Sequence, residues 1–273
     1  MVNIQLLSDL HLESNPHFVP QHAPGADVLV LAGDIGSYQN ASLLTQLGIA
    51  DFGLGRFAGW PCPVVFLPGN HEYDGQDFDG THERLQEVCA RLGLIWLERT
   101  AATIAGTRFI GCTLWTDFDA ITSSRAVSNP VTTGQQLVAR DKAYRAANHA
   151  LKRNHTLRAG QPMMAEDIRQ LGLDNQAWLR QALAAPVDCK TVVVTHFAPS
   201  LLSADPRYGV NAGTAGFCNA LDELLPQAQL WLHGHLHCPV DYVAGACRVV
   251  ANPLGYARKN EQLFFKPQNC ITV

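Results

Sequence analysis

A chain of 273 residues with 47% hydrophobic and 16% charged residues carries enough apolar material for a substantial core, and its length suits one α/β domain with an insertion. The net charge of −4 argues against the Lys/Arg excess of a protein that grips extended nucleic acid, and the composition is not that of a disordered chain. No apolar run approaches the ~20 residues of a membrane span, strand-like residues begin at Val2 with no leader pattern ahead of them, and the eight scattered cysteines include no CxxC pair, so free thiols and a cytoplasmic location are expected.

Strands are expected near 2–8, 27–32 and 63–67, followed by a helix near 81–92, whose Leu85, Val88, Cys89 and Leu92 share one face and which Gly93 ends. Strands near 94–97, 101–105 and 108–114 come next, the last two joined as a hairpin through Ala105-Gly106-Thr107. From Trp115 to about Leu173 the pattern changes to a polar loop, an Ala- and Arg-rich helix over 135–153 and a second loop, which reads as an insertion over about 115–175. The cations of that helix, Arg140, Lys142, Arg145, Lys152 and Arg153, read as a solvated face. A helix near 174–185 with Asp174 as N-cap leads to a strand at 190–195, and a helix near 217–225 leads to a strand at 229–232. The end, over 239–250 and again near 263–273, is strand-rich, with a turn at Ala244-Gly245-Ala246. Strand-helix order combined with hairpins suggests two sheets packed face to face with helices outside.

Five of the apolar runs end in Asp, Asn or His. Ile4 to Leu7 leads into Ser8-Asp9-Leu10-His11, Val28 to Ala32 into Gly33-Asp34-Ile35-Gly36, Val64 to Leu67 into Gly69-Asn70-His71-Glu72, Val192 to Thr195 into His196, and Leu230 to Leu232 into His233-Gly234-His235-Leu236-His237. Residues two apart on an extended chain point the same way, so Asp9 and His11 can aim at one point beyond the first strand. Asp34, between Gly33 and Gly36 in a turn open to close backbone approach, is placed to bridge two cations. With Asn70, His196, His235 and His237 these residues offer seven oxygen and nitrogen ligands, without thiolate, for a pair of divalent metal ions. Any one of the signals is ordinary turn chemistry, but six of the eleven histidines fall within these motifs.

The ordered set Asp-x-His, Gly-Asp, Gly-Asn-His-Glu, a lone His after a strand, and Gly-His-x-His resembles the calcineurin-like metallophosphoesterase superfamily, over residues 4–256. The resemblance implies a four-layer α/β/β/α sandwich of two mixed β-sheets flanked by helices, here with a helical insertion, and a dinuclear site at the strand ends. It implies that Asp9, His11, Asp34 and His237 hold one ion, that Asp34, Asn70, His196 and His235 hold the other, and that His71 stands beside them as proton donor or charge stabiliser. The implied metals are manganese first, with iron or zinc as alternatives. The implied partner is a phosphorylated small molecule or other phosphoester, with no membrane and no extended nucleic acid. Glu72 is a candidate to orient the His71 ring, His233 a candidate to support the ligands from behind, and Arg207, Tyr208, Asn252 and Tyr256 are candidates for substrate contact. The resulting reading is a metal-dependent phosphoric ester hydrolase, phosphatase or phosphodiesterase. The alternatives are a non-catalytic binding protein on the same fold, which missing ligands would mark, and a nuclease, which the charge disfavours.

Overall fold

The computed structural model describes residues 1–123 and 131–273, and the polar loop expected after Trp115 lies partly outside them. In chain order the elements are β1 (Asn3–Leu7), β2 (Val28–Ala32), α1 (Leu43–Gln46), β3 (Val64–Leu67), α2 (Phe78–Leu92), β4 (Ile95–Trp96), β5 (Thr100–Ile104) and β6 (Thr107–Cys112). Then come α3 (Ala120–Ser123), α4 (Thr133–Asn154), β7 (Leu157–Arg158), β8 (Gln161–Pro162) and α5 (Ala165–Ala184). The chain closes with β9 (Thr191–Thr195), β10 (Leu230–His233), β11 (Val240–Ala244), β12 (Cys247–Ala251) and β13 (Cys270–Thr272).

Two sheets account for most strands. One has the order β13-β1-β2-β3-β4, parallel from β1 to β4 with β13 antiparallel at the edge. The other has the order β11-β12-β10-β9-β6-β5, with its four central strands parallel and a hairpin at each edge. Strand alternation divides the apolar residues between layers. Val28, Val30 and Ala32 of β2 face Val192, Val194, Leu230 and Leu232 of the second sheet in the core between sheets, whereas Leu29 and Leu31 join the cluster that includes Leu85, Val88 and Cys89 of α2. On the far side Val193 and Trp231 pack with Leu179 and Leu183 of α5. The layers are therefore helix, sheet, sheet, helix. The β5–β6 turn is Ala105-Gly106, both at positive φ (48° and 72°), as a two-residue hairpin of matching twist requires.

Three expectations differ from the structure. Helix α5 starts at Ala165 rather than near 174: Asp167 accepts the Met164 N–H (2.9 Å) and Asn148 of α4 accepts the Ala165 N–H (2.9 Å), while Asp174 sits mid-helix as acceptor of the Gln170 amide. The helix expected over 217–225 is missing because its backbone donors go elsewhere. Asn219 N–H binds Ala198 O and Leu221 N–H binds Pro199 O, both at 2.8 Å, so this stretch lies along the exit of β9 between short 3₁₀ turns at Ala212–Gly216 and Leu225–Gln227. Near the end, Glu261–Phe264 is a 3₁₀ turn and only β13 is strand.

Between β4 and β5, Glu98 is buried at 8% exposure. Its carboxyl accepts from the Thr113 backbone N–H and, at 3.3 Å, from the Asn175 amide of α5. The Thr113 hydroxyl has one proton for two oxygen neighbours, Pro68 O at 2.9 Å and Glu98 at 3.0 Å, and a protonated Glu98 resolves this by donating to the hydroxyl. Burial pushes the Glu98 carboxyl up to about 7, against the Thr113 hydrogen bonds that favour its ionised form. The native state then binds more protons than the unfolded chain between pH 4.5 and about 7, so this group's contribution to stability is full below pH 4.5 and lost as pH rises through 7. Whatever its baseline, Glu98→Gln should lack this dependence: the stability of the native sequence minus that of the variant, from urea unfolding, should fall by up to about 3 kcal/mol from pH 4.5 to pH 8. A constant difference across that window would count against the assignment.

Candidate metal centre

The C-terminal ends of β1, β2, β3, β9 and β10 meet at one edge of the sandwich, the edge at which open parallel sheets commonly bind ligands. The chain does not stay extended there. Asp9, His11, Asp34, His235 and His237 all have positive φ (51°, 44°, 55°, 74° and 48°), so Asp9 and His11 converge through left-handed turns rather than through strand alternation. Asp and His are among the side chains that tolerate this region best, and such strain concentrates at functional sites. Two glycines make the approach possible. A Cβ on Gly69 would lie 2.2 Å from Asp34 Oδ1, and one on Gly33, itself at φ 84°, would lie 2.5 Å from His196 Nδ1 and 2.6 Å from Gly69 N. Gly36 serves packing instead, because its Cβ would meet Phe52 O at 2.4 Å.

The side chains form two groups that share Asp34. Asp9, His11, Asp34 and His237 bring their ligand atoms within 4.8 Å of one another, and so do Asp34, His196 and His235. Asn70 joins the second group with Oδ1 at 3.2 Å from His196 Nε2. Asp34 Oδ2 lies 3.2 Å from His196 Nε2 and 4.0 Å from His11 Nε2, while Oδ1 accepts the His71 N–H at 2.8 Å. Asp9 Oδ1 accepts the His235 N–H at 2.9 Å.

Counting protons tests whether cations fit. His11 Nδ1 contacts Glu13 (2.9 Å), His237 Nδ1 contacts Glu261 (2.6 Å) and His196 Nδ1 contacts Ala32 O (2.9 Å); each is an oxygen acceptor that holds the ring proton on Nδ1. The Nε2 lone pairs then turn inward, and those of His11 and His237 stand 2.9 Å apart with no proton between them. Asp9 Oδ2 and Asp34 Oδ2 are buried without a hydrogen-bond partner, and His235 Nδ1 faces His196 Nε2 at 3.2 Å. Acceptors facing acceptors in a buried cluster suit divalent cations, and the oxygen and imidazole set suits manganese, iron or zinc better than magnesium. Burial alone would raise the Asp34 carboxyl, but His196, His71 and His11 around it hold it well below the usual carboxylate range.

His71 stands beside this cluster, its ring edge-on to His11 with centroids 5.0 Å apart, and its Nδ1 lies 2.5 Å from Asp74 Oδ2. Burial would lower its pKa, but the Asp74 and Asp34 carboxylates raise it well above the ordinary histidine value. Asp74 therefore takes the orienting place that the sequence suggested for Glu72. Glu72 does something else: fully buried, it accepts the N–H groups of Gly69 (2.8 Å), Asp34 (3.1 Å) and Ile35 (2.6 Å), tying the exits of β2 and β3 together. Burial and the nearby Asp34 charge push its carboxyl up to about 8.

The remaining candidates divide. His233 turns from the cluster, with Nε2 at 3.0 Å from Ser203 Oγ and Nδ1 at 2.9 Å from Gly234 O. Asn252 is no substrate contact: it is buried, its amide donates to Leu6 O and Lys266 O, and its oxygen accepts the Lys266 N–H. Tyr256 stacks on the His11 ring at 4.2 Å. Arg207 and Tyr208 line a hollow of about 230 Å³ beside His235 and His237, with the guanidinium held by Asp205. The sequence reading missed Glu13, Asp74 and Glu261. The first two lie two and three residues beyond a motif histidine, a spacing that could have drawn attention, but Glu261 lies far along the chain from His237 and carries no local signal.

No curated protein sequence matches the chain significantly. Among solved structures, a phosphopantetheinyl hydrolase from Mycobacterium tuberculosis is similar with a TM-score of 0.62 at 19% identity, the match covering 94% of this chain and 90% of that one. A dimetal phosphatase from Danio rerio matches at 12% identity with a TM-score of 0.48, over 93% and 88% of the two chains. The first of these is a likeness of fold. The model of the calcineurin-like phosphoesterase family matches residues 3–239, and the chain belongs to that family.

Proposed function

We propose that the protein is a metal-dependent phosphoric ester hydrolase working with two divalent ions, manganese first among them. One observation carries this reading: two groups of ligand-type side chains share Asp34, whose Oδ2 is buried without a proton donor. Asp9, His11, Asp34 and His237 would hold one ion, and Asp34, Asn70, His196 and His235 the other. Such a pair supplies Lewis acidity toward phosphoryl oxygens and a lowered pKa for bound water.

The chain's own groups do the rest. Glu13, Glu261 and Ala32 O fix three imidazoles in the tautomer that presents Nε2. Asp74 anchors His71 at Nδ1, which leaves Nε2 as the atom that hands a proton to the departing alkoxide. The cytoplasmic reading is supported by the eight cysteines, all free, and no helix among the described residues is long and apolar enough to cross a membrane.

Asp34→Asn should keep the fold, since Asn accepts the left-handed backbone at φ 55° as readily as Asp. Hydrolysis of an activated aryl phosphate should nonetheless drop by more than ~10³-fold, the scale of losing several kcal/mol of charge stabilisation. Elemental analysis of the unmutated protein should give close to two transition-metal equivalents, and full activity in metal-stripped protein would overturn the reading.

His71→Ala should retain both metal equivalents and lose activity according to the leaving group. Nitrophenolate departs without a proton but an alkoxide does not, so the loss should approach ~10²- to 10⁴-fold on alkyl esters and be far smaller on nitrophenyl esters. Equal losses would assign His71 to charge stabilisation, and a missing metal equivalent would make it a ligand.

A further inference from the structure

Beside the cluster, between the ends of the sheets and the inserted helices, lies a pocket of about 310 Å³. Its walls include Trp115, Phe118, Leu151, Met163, Phe197 and Phe217. Asn70, Asp74 and His235 also line it, so it borders the second ligand group and the carboxylate that anchors His71. Asp74 Oδ1 and His235 Nε2 there are buried and unpartnered. Along the α4 side Ala146, Ala147 and Ala150 line the pocket, and their short side chains leave its volume open.

The charge distribution says what such a space accepts. Among the described residues no Lys or Arg lines it, and its one carboxylate, Asp74, is paired with His71. Arg207 and Lys259 line an adjoining hollow that shares Gly213, Phe217 and His235 with the pocket. A leaving group with further phosphates or carboxylates would meet aromatic rings in the pocket, with no Lys or Arg to pair with them. An alkyl or aryl group would exchange water for those rings. The volume is at the lower end of the ~300–1,000 Å³ usual for small-molecule sites.

We infer that this pocket receives the departing alcohol of the substrate and that this alcohol is apolar, an alkyl or aryl group rather than a sugar phosphate or a nucleotide. The inference rests on the phosphoester-hydrolase reading and narrows its substrate class. His71 lies next to Asp74 of the pocket lining, so an ester oxygen in reach of His71 has the pocket beside it to take the organic group.

The test is a homologous series of straight-chain alkyl phosphates and alkyl methyl phosphates, methyl to hexyl, assayed with manganese by alcohol release. These alcohols have closely similar acidity, so intrinsic reactivity barely changes along the series. The kcat/KM should rise about fourfold for each methylene that enters the pocket, the factor expected for burying one CH₂. Ala150→Phe, which fills the pocket from α4, should flatten the series, and Met163→Ala, which enlarges it, should move the optimum to longer chains. Turnover of nitrophenyl phosphate or bis(nitrophenyl) phosphate together with a flat alkyl series in the unmutated protein would overturn the pocket assignment and leave the hydrolase reading standing. No turnover of any ester would overturn both.

Discussion

Acceptor atoms crowd around Asp34 with too few protons to satisfy them, and much of the local structure follows from that imbalance. Two carboxylates, an amide oxygen and four imidazoles converge, and the proton on each of three rings is held outward by Glu13, Glu261 or Ala32 O. In a buried cluster such an arrangement is unfavourable unless positive charge enters it. The fold must therefore hold the ligands against mutual repulsion in a geometry set by backbone. Positive φ at five of them, and glycines at 33 and 69 where a Cβ would collide, show how closely the loops are pressed together. Strain of this kind persists where the surroundings over-determine it, and here they are two sheets with apolar cores on both faces.

Glu72 has a distinct part in that constraint. Its carboxyl satisfies three backbone N–H groups that the turns after β2 and β3 would otherwise bury unpaired. It joins two loops of one sheet, while Thr113 joins the sheets, accepting the His196 N–H (3.2 Å) through its carbonyl and reaching Pro68 O (2.9 Å) through its hydroxyl. Glu98 holds Thr113, and Asn175, whose amide donates to Glu98, extends the connection to α5. Helix α5, the two sheets and the loops of the cluster are thus linked by a short run of buried hydrogen bonds around a few carboxyls.

The layered fold was legible because each buried strand is an apolar run with a sharp end, and the chemistry-bearing residues stand at those ends: Asp34 after Val28–Ala32 and His196 after Thr191–Thr195. What the sequence did not carry were choices made by distant groups. Asp174 has the residue type of an N-cap, yet Asn148 and Asp167 set the helix start further back. Leu221 and Leu224 have helical spacing, yet the backbone around them pairs with the chain leaving β9. Glu72, adjacent to His71, invited the role that Asp74 takes, because a 3₁₀ turn over His71–Tyr73 brings the residue three positions on to the ring. Asn252 looked available after a strand, and only the path of the chain at Lys266 reveals that its amide is fully used.

On the proposed reading the inserted helices bear on selectivity through what they leave unfilled. Helix α4 is held at one end by Arg140, which with Arg169 of α5 binds Asp119, so its small side chains face the pocket from an anchored element. Alanines along one face of a helix fixed in this way leave room beside the ligand groups without opening the core, whereas larger residues at the same positions would close that space. The ligand loops, overdetermined by glycine contacts and buried carboxyls, have little freedom to vary without losing the cluster. On the proposed reading the reaction belongs to the strand ends and the choice of ester to the helix facing them, a division consistent with function residing in sites carried on a shared fold.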